Sequence, residues 1–305
     1  MATALVVYPR SPFGGALITS PTRSTGRDPA KVVSVPKGKG RTMHVRHHTL
    51  ILIAALLPLG LAATVLSAAP AGAAGVTTTL PAARAKVPSD VLTFAGYPWT
   101  IKSSTSPVGP GPNDFAANGP FVDASGALHL RILDTASGWE SSEVVLGPTL
   151  GYGTYRWTLR GTLTTLDPNV VLGLLTYDNS DTSPTNREID FEASRFGDAL
   201  ATTNAQYVVQ PWSVPGNLQR ITIPKGVATT VSLTWLPGSV TFSGQVTRAN
   251  GTVVALQTWS TMSSSVPTTS TEQVHMNLWL DNGVPPTDGK PVNVAITGFQ
   301  FSHSA

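Results

Sequence analysis

The chain has 305 residues and no cysteine, which excludes disulfides and thiolate-zinc sites. Its net charge of +3 is unevenly placed: eight of the 20 Lys and Arg lie in the first 74 residues beside one acid, Asp28. From residue 75 onward acids outnumber bases, sixteen to twelve, so no excess positive charge is left to hold a nucleic acid.

Residues 1–42 mix Pro, Gly, Arg and Ser without periodicity. Either translation starts at Met43 and this stretch is a misassigned upstream extension, or it is a disordered one; neither reading gives it a fold. Residues 43–74 read as a secretory signal. A basic start at Met43–His48 precedes an apolar run from Leu50 to Leu66, and small residues follow up to Ala74. Cleavage is expected between Ala71 and Ala74. A retained anchor is the alternative, because the run approaches the roughly 18 residues of a membrane span, but Pro58 and Gly60 interrupt it. The protein is therefore expected outside the cell, meeting the membrane only in transit. Residues 75–89 have linker composition.

From about residue 90 to 305 the chain reads as one all-β domain. Leu128, Leu130 and Ile132 alternate with His129 and Arg131; Val231, Leu233 and Trp235 with Ser232 and Thr234; Val274, Met276, Leu278 and Leu280 with Gln273, His275, Asn277 and Trp279. Period two puts one face on a core and one outside. Turns are marked at Pro110-Gly111, Asp123–Gly126, Pro237-Gly238 and Asn250-Gly251, the last a two-residue hairpin signal. Many short strands with tight turns mean a sandwich or a barrel. A domain of this size folds on core packing alone, and a monomer is expected.

In the segment Glu188-Ile189-Asp190-Phe191-Glu192 a strand would carry three carboxylates on one face. Such a row is poor packing material. It suits glycoside hydrolysis, which needs one protonated and one ionised carboxyl, and mutual repulsion helps to hold one of them protonated. An exposed acidic face or a cation site is the alternative on this evidence.

The same segment resembles the E-x-D-x-E signature of glycoside hydrolase family 16. Gly151-Tyr152-Gly153-Thr154-Tyr155, Val170–Tyr177, Asn204-Ala205-Gln206-Tyr207 and Met276-Asn277-Leu278-Trp279 resemble further strands of that family, in order, over roughly residues 90–303. The resemblance implies a concanavalin A-like jelly roll of two antiparallel sheets and a retaining endo-acting β-glucanase. Glu188 would be the nucleophile, Asp190 the residue that tunes the pair, and Glu192 the acid/base. Glu143, Gln206, Asn277 and Trp279 would hold sugar rings of a polysaccharide. Trp279 is expected to face outward as a platform for a sugar, a rim position under a loop being the alternative. Trp212 and Phe196 are open between cleft and core. Arg187 and Arg195 are open between pairing with the acids or substrate and lying at strand ends.

The chain departs from lichenases at Asn186 and Arg187, where they carry an aromatic; at Val144 or Val145, in place of an arginine; at Ala193, in place of an aromatic; and along Thr229–Trp235, which lacks their histidine. Mixed-linkage glucan, β-1,3-glucan and galactan all remain open as substrates. No cofactor is expected and no metal ligands are assigned, although the family often holds a structural calcium away from its cleft. A glycan-binding module without catalysis is the competing reading of the same fold.

Overall fold

The computed structural model describes residues 90–183, 185 and 187–304. The upstream extension, the secretory signal and the linker expected over 1–89 lie outside the described residues, as does Asn186.

The strands follow the alternation in the sequence. They are β1 (Val91–Phe94), β2 (Tyr97–Ile101), β3 (Asp114–Phe115), β4 (Phe121–Val122), β5 (Leu128–Thr135) and β6 (Gly138–Leu146). Next come β7 (Gly153–Arg160), β8 (Val170–Tyr177), β9 (Ile189–Ala193), β10 (Ala205–Val209), β11 (Leu218–Ile221) and β12 (Ala228–Leu236). The rest are β13 (Ser239–Thr247), β14 (Val253–Ala255), β15 (Trp259–Thr261), β16 (Gln273–Leu280) and β17 (Val292–His303). Two 3-10 turns, Leu163–Thr165 and Asp281–Gly283, are the helical pieces among the described residues.

These strands form a two-sheet jelly-roll sandwich. The front sheet runs β1-β2-β6-β16-β8-β9-β10-β11, antiparallel throughout. The back sheet runs β4-β5-β17-β7-β12-β13, with β14 and β15 both on β13. The β5–β6 hairpin joins the two, pairing Leu133 with Glu140 after β5 has left β17. Short β3 adds a parallel pair to β6.

The core lies between the sheets. Leu128, Leu130 and Ile132 are fully buried, as are Val231, Leu233 and Trp235, and Met276 and Leu278. Trp99, Trp157, Trp235, Tyr155 and Tyr207 are its largest members. Burying each large apolar side chain contributes about 1.5–3 kcal/mol, and without disulfides that term holds the sandwich.

The turns match their residues, with one difference. Leu236 pairs Ser239 across Pro237-Gly238, a two-residue turn with Gly238 at φ +71. At Asn250-Gly251 the hairpin is present but its loop has three residues, because Arg248 N donates to Thr252 O at 2.8 Å. Gly251, at φ +82, takes the left-handed position such a loop requires.

Candidate active site

The acids sit where the sequence pattern puts them, on the face of β9 turned away from the core. Ile189, Phe191 and Ala193 are fully buried in the sandwich, so Asp190 and Glu192 face the other way. Glu188 lies one residue before the strand and not within it. A turn holds it there, with its N–H donating to Thr185 O at 3.1 Å and its carbonyl accepting from Gln210 N at 3.0 Å.

Register carries the acids into a polar row across the front sheet. Arg220, Gln206, Glu192, Gly173, Asn277 and Glu143 are successive cross-strand partners on β11, β10, β9, β8, β16 and β6. Side chains paired in this way share a face. The neighbouring row carries Asp190, Leu175 and His275. On the other side Val171 pairs with Trp279, and both pack with Phe115, Val108 and Phe196 into a small apolar wall.

The glycine in the row is a steric requirement. A Cβ at Gly173 would overlap the side-chain oxygen of Asn277 and come within 3.2 Å of Leu175 Cδ2. Gly173→Ala is therefore expected to displace the Asn277 amide and cost about 1–3 kcal/mol of stability as overpacking. Chemical denaturation would measure it, and an unchanged midpoint would mean the amide moves aside freely.

The three acids are protonated more readily than ordinary carboxyls. Burial is the main cause in each, and it pushes Glu188, Asp190 and Glu192 all upward. Their partners then separate them. Glu188 and Asp190 share a side-chain hydrogen bond, which raises Asp190 and lowers Glu188. That bond favours the proton on Asp190, so Glu188 is the first of the two to ionise as pH rises. Gln210 Nε2 donates to Asp190 Oδ2 at 3.3 Å. Glu192 accepts from Gln206 Nε2 at 2.7 Å and lies beside the Arg220 guanidinium, both of which oppose its burial.

Glu143 has the opposite balance. Burial raises it, but Lys102 and His275 outweigh burial and bring its carboxyl down to about 2. It is an ionised residue, and the acids of β9 are the proton-retaining ones.

The remaining candidates divide. Gln206 and Asn277 lie in the row, 9% and 4% exposed. Trp279 stands on the expected face, yet the residue is only 7% exposed, so it is not the outward platform expected of it. The segment 108–115 covers it: Asn113 Nδ2 and Oδ1 bond the Leu280 carbonyl and N–H at 2.9 and 3.1 Å, and so hold Val108 and Phe115 over the ring. Phe196 belongs to the same wall, under Arg220. Trp212 is half-buried, outside both apolar clusters, and its N–H donates to Gln210 Oε1 at 3.0 Å, one link from Asp190.

Arg195 is a correction. Its guanidinium donates to the carbonyls of Leu166 and Thr164 at 3.1 and 3.2 Å and braces that turn. Arg187 bonds Glu272 Oε1 at 2.6 Å, away from the β9 acids. The arginine beside the acids is Arg220, which bonds Gln206 Oε1 at 3.1 Å. Sequence reasoning missed Arg220, Gln210 and Lys102. No local pattern marks them, since strand pairing alone brings them to the site.

No family model matches the chain, and no curated protein matches it. Solved structures do. A β-glucanase of Bacillus licheniformis superposes with a TM-score of 0.51 at 18% identity, over 72% of this chain and 95% of that one. A glycoside hydrolase family 16 endo-glucanase from Bacteroides ovatus gives 0.50 at 14%, over 67% and 94%. An immunostimulatory antigen and pseudo β-1,3-glucanase of Mycobacterium tuberculosis gives 0.50 at 16%, over 68% and 91%. The chain thus has the fold of the family 16 glucanases.

Proposed function

We propose that the chain is a retaining β-glycoside hydrolase of family 16 type that cuts a glucan-type polysaccharide internally. The observation that carries this reading is the placement of three carboxyls together at β9 in unlike surroundings, Glu192 bonded by Gln206 in the polar row and Asp190 bonded by Gln210 in the next. Burial raises all three, and the pairing of Glu188 with Asp190 raises Asp190 further.

The chemistry follows from those environments. Glu188, once it has given up its proton ahead of Asp190, attacks the anomeric carbon and forms a glycosyl ester. Glu192 gives its proton to the departing glycosidic oxygen. Glu192, now ionised, then takes a proton from water, whose oxygen displaces Glu188 and restores the starting state. Gln206 and Asn277 bind sugar hydroxyls, while Glu143, whose two oxygens are held by Lys102 and His275, is not free to do so as the resemblance implied. The leader over 43–74 supports export as the setting for a polymeric substrate.

A panel of mixed-linkage glucan, β-1,3-glucan and galactan tests the reading by reducing-sugar release, with the anomer of the first-formed product followed by NMR. Release from one polymer with retention is expected. An inverted product would overturn the mechanism. Glycan binding without release from any polymer would favour the second reading, a binding module. That reading draws on a pseudo-glucanase being among the structures of the same fold.

A further inference from the structure

The β6 end of the polar row holds an ion cluster whose exposed member is not the carboxylate. Glu143 is 3% exposed and both its oxygens are engaged, Oε2 by Lys102 Nζ at 2.8 Å and Oε1 by His275 Nδ1 at 2.7 Å. His275 is equally enclosed, with its other ring nitrogen 3.4 Å from Asn179 Nδ2 and its ring edge-on to Tyr177. Neither group has a surface free to meet a ligand.

Lys102 does. It follows β2 directly, and its N–H donates to Glu143 O at 3.0 Å, which carries the ladder on to β6. Its ammonium lies 4.2 Å from the centroid of the Phe115 ring and donates to Gly109 O at 2.7 Å as well as to Glu143. An ammonium has three donors, so one is left over. The Lys102 side chain keeps 27% exposure, against 4% each for Glu143 and His275.

We propose that Lys102 contacts substrate and sets specificity, its third N–H donating to a hydroxyl of a sugar beyond the one being cut, with Glu143 and His275 as its positioning residues. The inference rests on reading this face as a glycan cleft. Three strand spacings separate Glu143 from Glu192, about 14 Å along the row, so a single ring at the cleavage point does not reach Lys102. Its charge is already met by Glu143. The site therefore takes a neutral, hydroxyl-rich chain, and a uronate or sulfate gains nothing there. Length of chain is what Lys102 reads.

The test is oligosaccharide binding by calorimetry, with Glu188→Gln as the parent so that no ligand is consumed. The probes are β-1,3-linked and mixed-linkage gluco-oligosaccharides and galacto-oligosaccharides, each of increasing length. Adding Lys102→Met should weaken the long members roughly tenfold, the worth of one charge-assisted hydrogen bond, and leave the shortest unchanged. Lys102→Arg should restore most of the loss. Lys102→Met leaves Glu143 buried with one partner fewer, so Lys102→Met/Glu143→Gln, which restores neutrality, guards against loss of the fold and should show the same length-restricted deficit. An equal loss for short and long probes would make Lys102 a structural residue and overturn the assignment, as would no loss at all. A parent that binds none of the probes would remove the glycan-cleft reading and this assignment with it.

Discussion

Glu188→Gln is expected to abolish glucan hydrolysis, lowering kcat on the order of 10⁴-fold or more, because an amide cannot form the glycosyl ester. The same change should stabilise the fold at alkaline pH. The Glu188 carboxyl is raised in the folded state, chiefly by burial, whereas in the unfolded chain it titrates near the ordinary value of about 4.3. The native state therefore binds this proton more tightly than the unfolded state does. The stability that this contributes is complete below the unfolded value and is lost as pH rises through the raised folded value. Glutamine has no proton to lose. Melting curves of the variant should fall on those of the parent in acid and lie a few degrees higher above neutrality, the shift expected from about 1 kcal/mol in a domain of this size. An inactive variant with no such divergence would mean that the carboxyl is less desolvated than its surroundings imply.

Glu192→Ala should separate the two halves of the reaction. On a natural glucan the leaving oxygen needs a proton, and losing the donor should cost roughly 10²–10⁴-fold in kcat. A dinitrophenyl glycoside leaves without one, so its first step should survive and the glycosyl enzyme should accumulate. Azide, which needs no base to attack, should then restore turnover and yield a glycosyl azide of retained configuration. Equal losses on both substrates, with no azide product, would remove Glu192 from the acid/base role and leave it a binding residue.

The two halves of the molecule were unequally legible. Period two in β5, β12 and β16 names the core residues correctly, because an amphipathic strand has one stable way to sit on a sandwich. The same rule turns the acids of β9 outward. Which strands lie beside β9 is a different matter. Arg220 and Gln210 reach the acids through pairings made across loops, and Lys102 reaches Glu143 across 41 residues of chain. A sequence shows which way a side chain points but not who stands next to it. Arg195 misleads for that reason: it is close to the acids along the chain, but its fork is spent on the carbonyls of Thr164 and Leu166. Trp279 shows a second limit. Alternation predicts its face, while its exposure is decided by a segment some 170 residues earlier that Asn113 fastens over it.

The position of β17 bears on how the molecule is made. Residues 292–303 fill the slot between β5 and β7, whose partners were synthesised some 130–170 residues before. Until that strand has left the ribosome, both neighbours have an open edge and the back layer has no centre. The sandwich therefore cannot be completed piecemeal as its earlier strands emerge, and closure waits for contacts of very long sequence separation, which fold slowly. A nascent chain held in this unfinished state presents two unpaired strand edges, the surfaces most prone to mispairing with another chain.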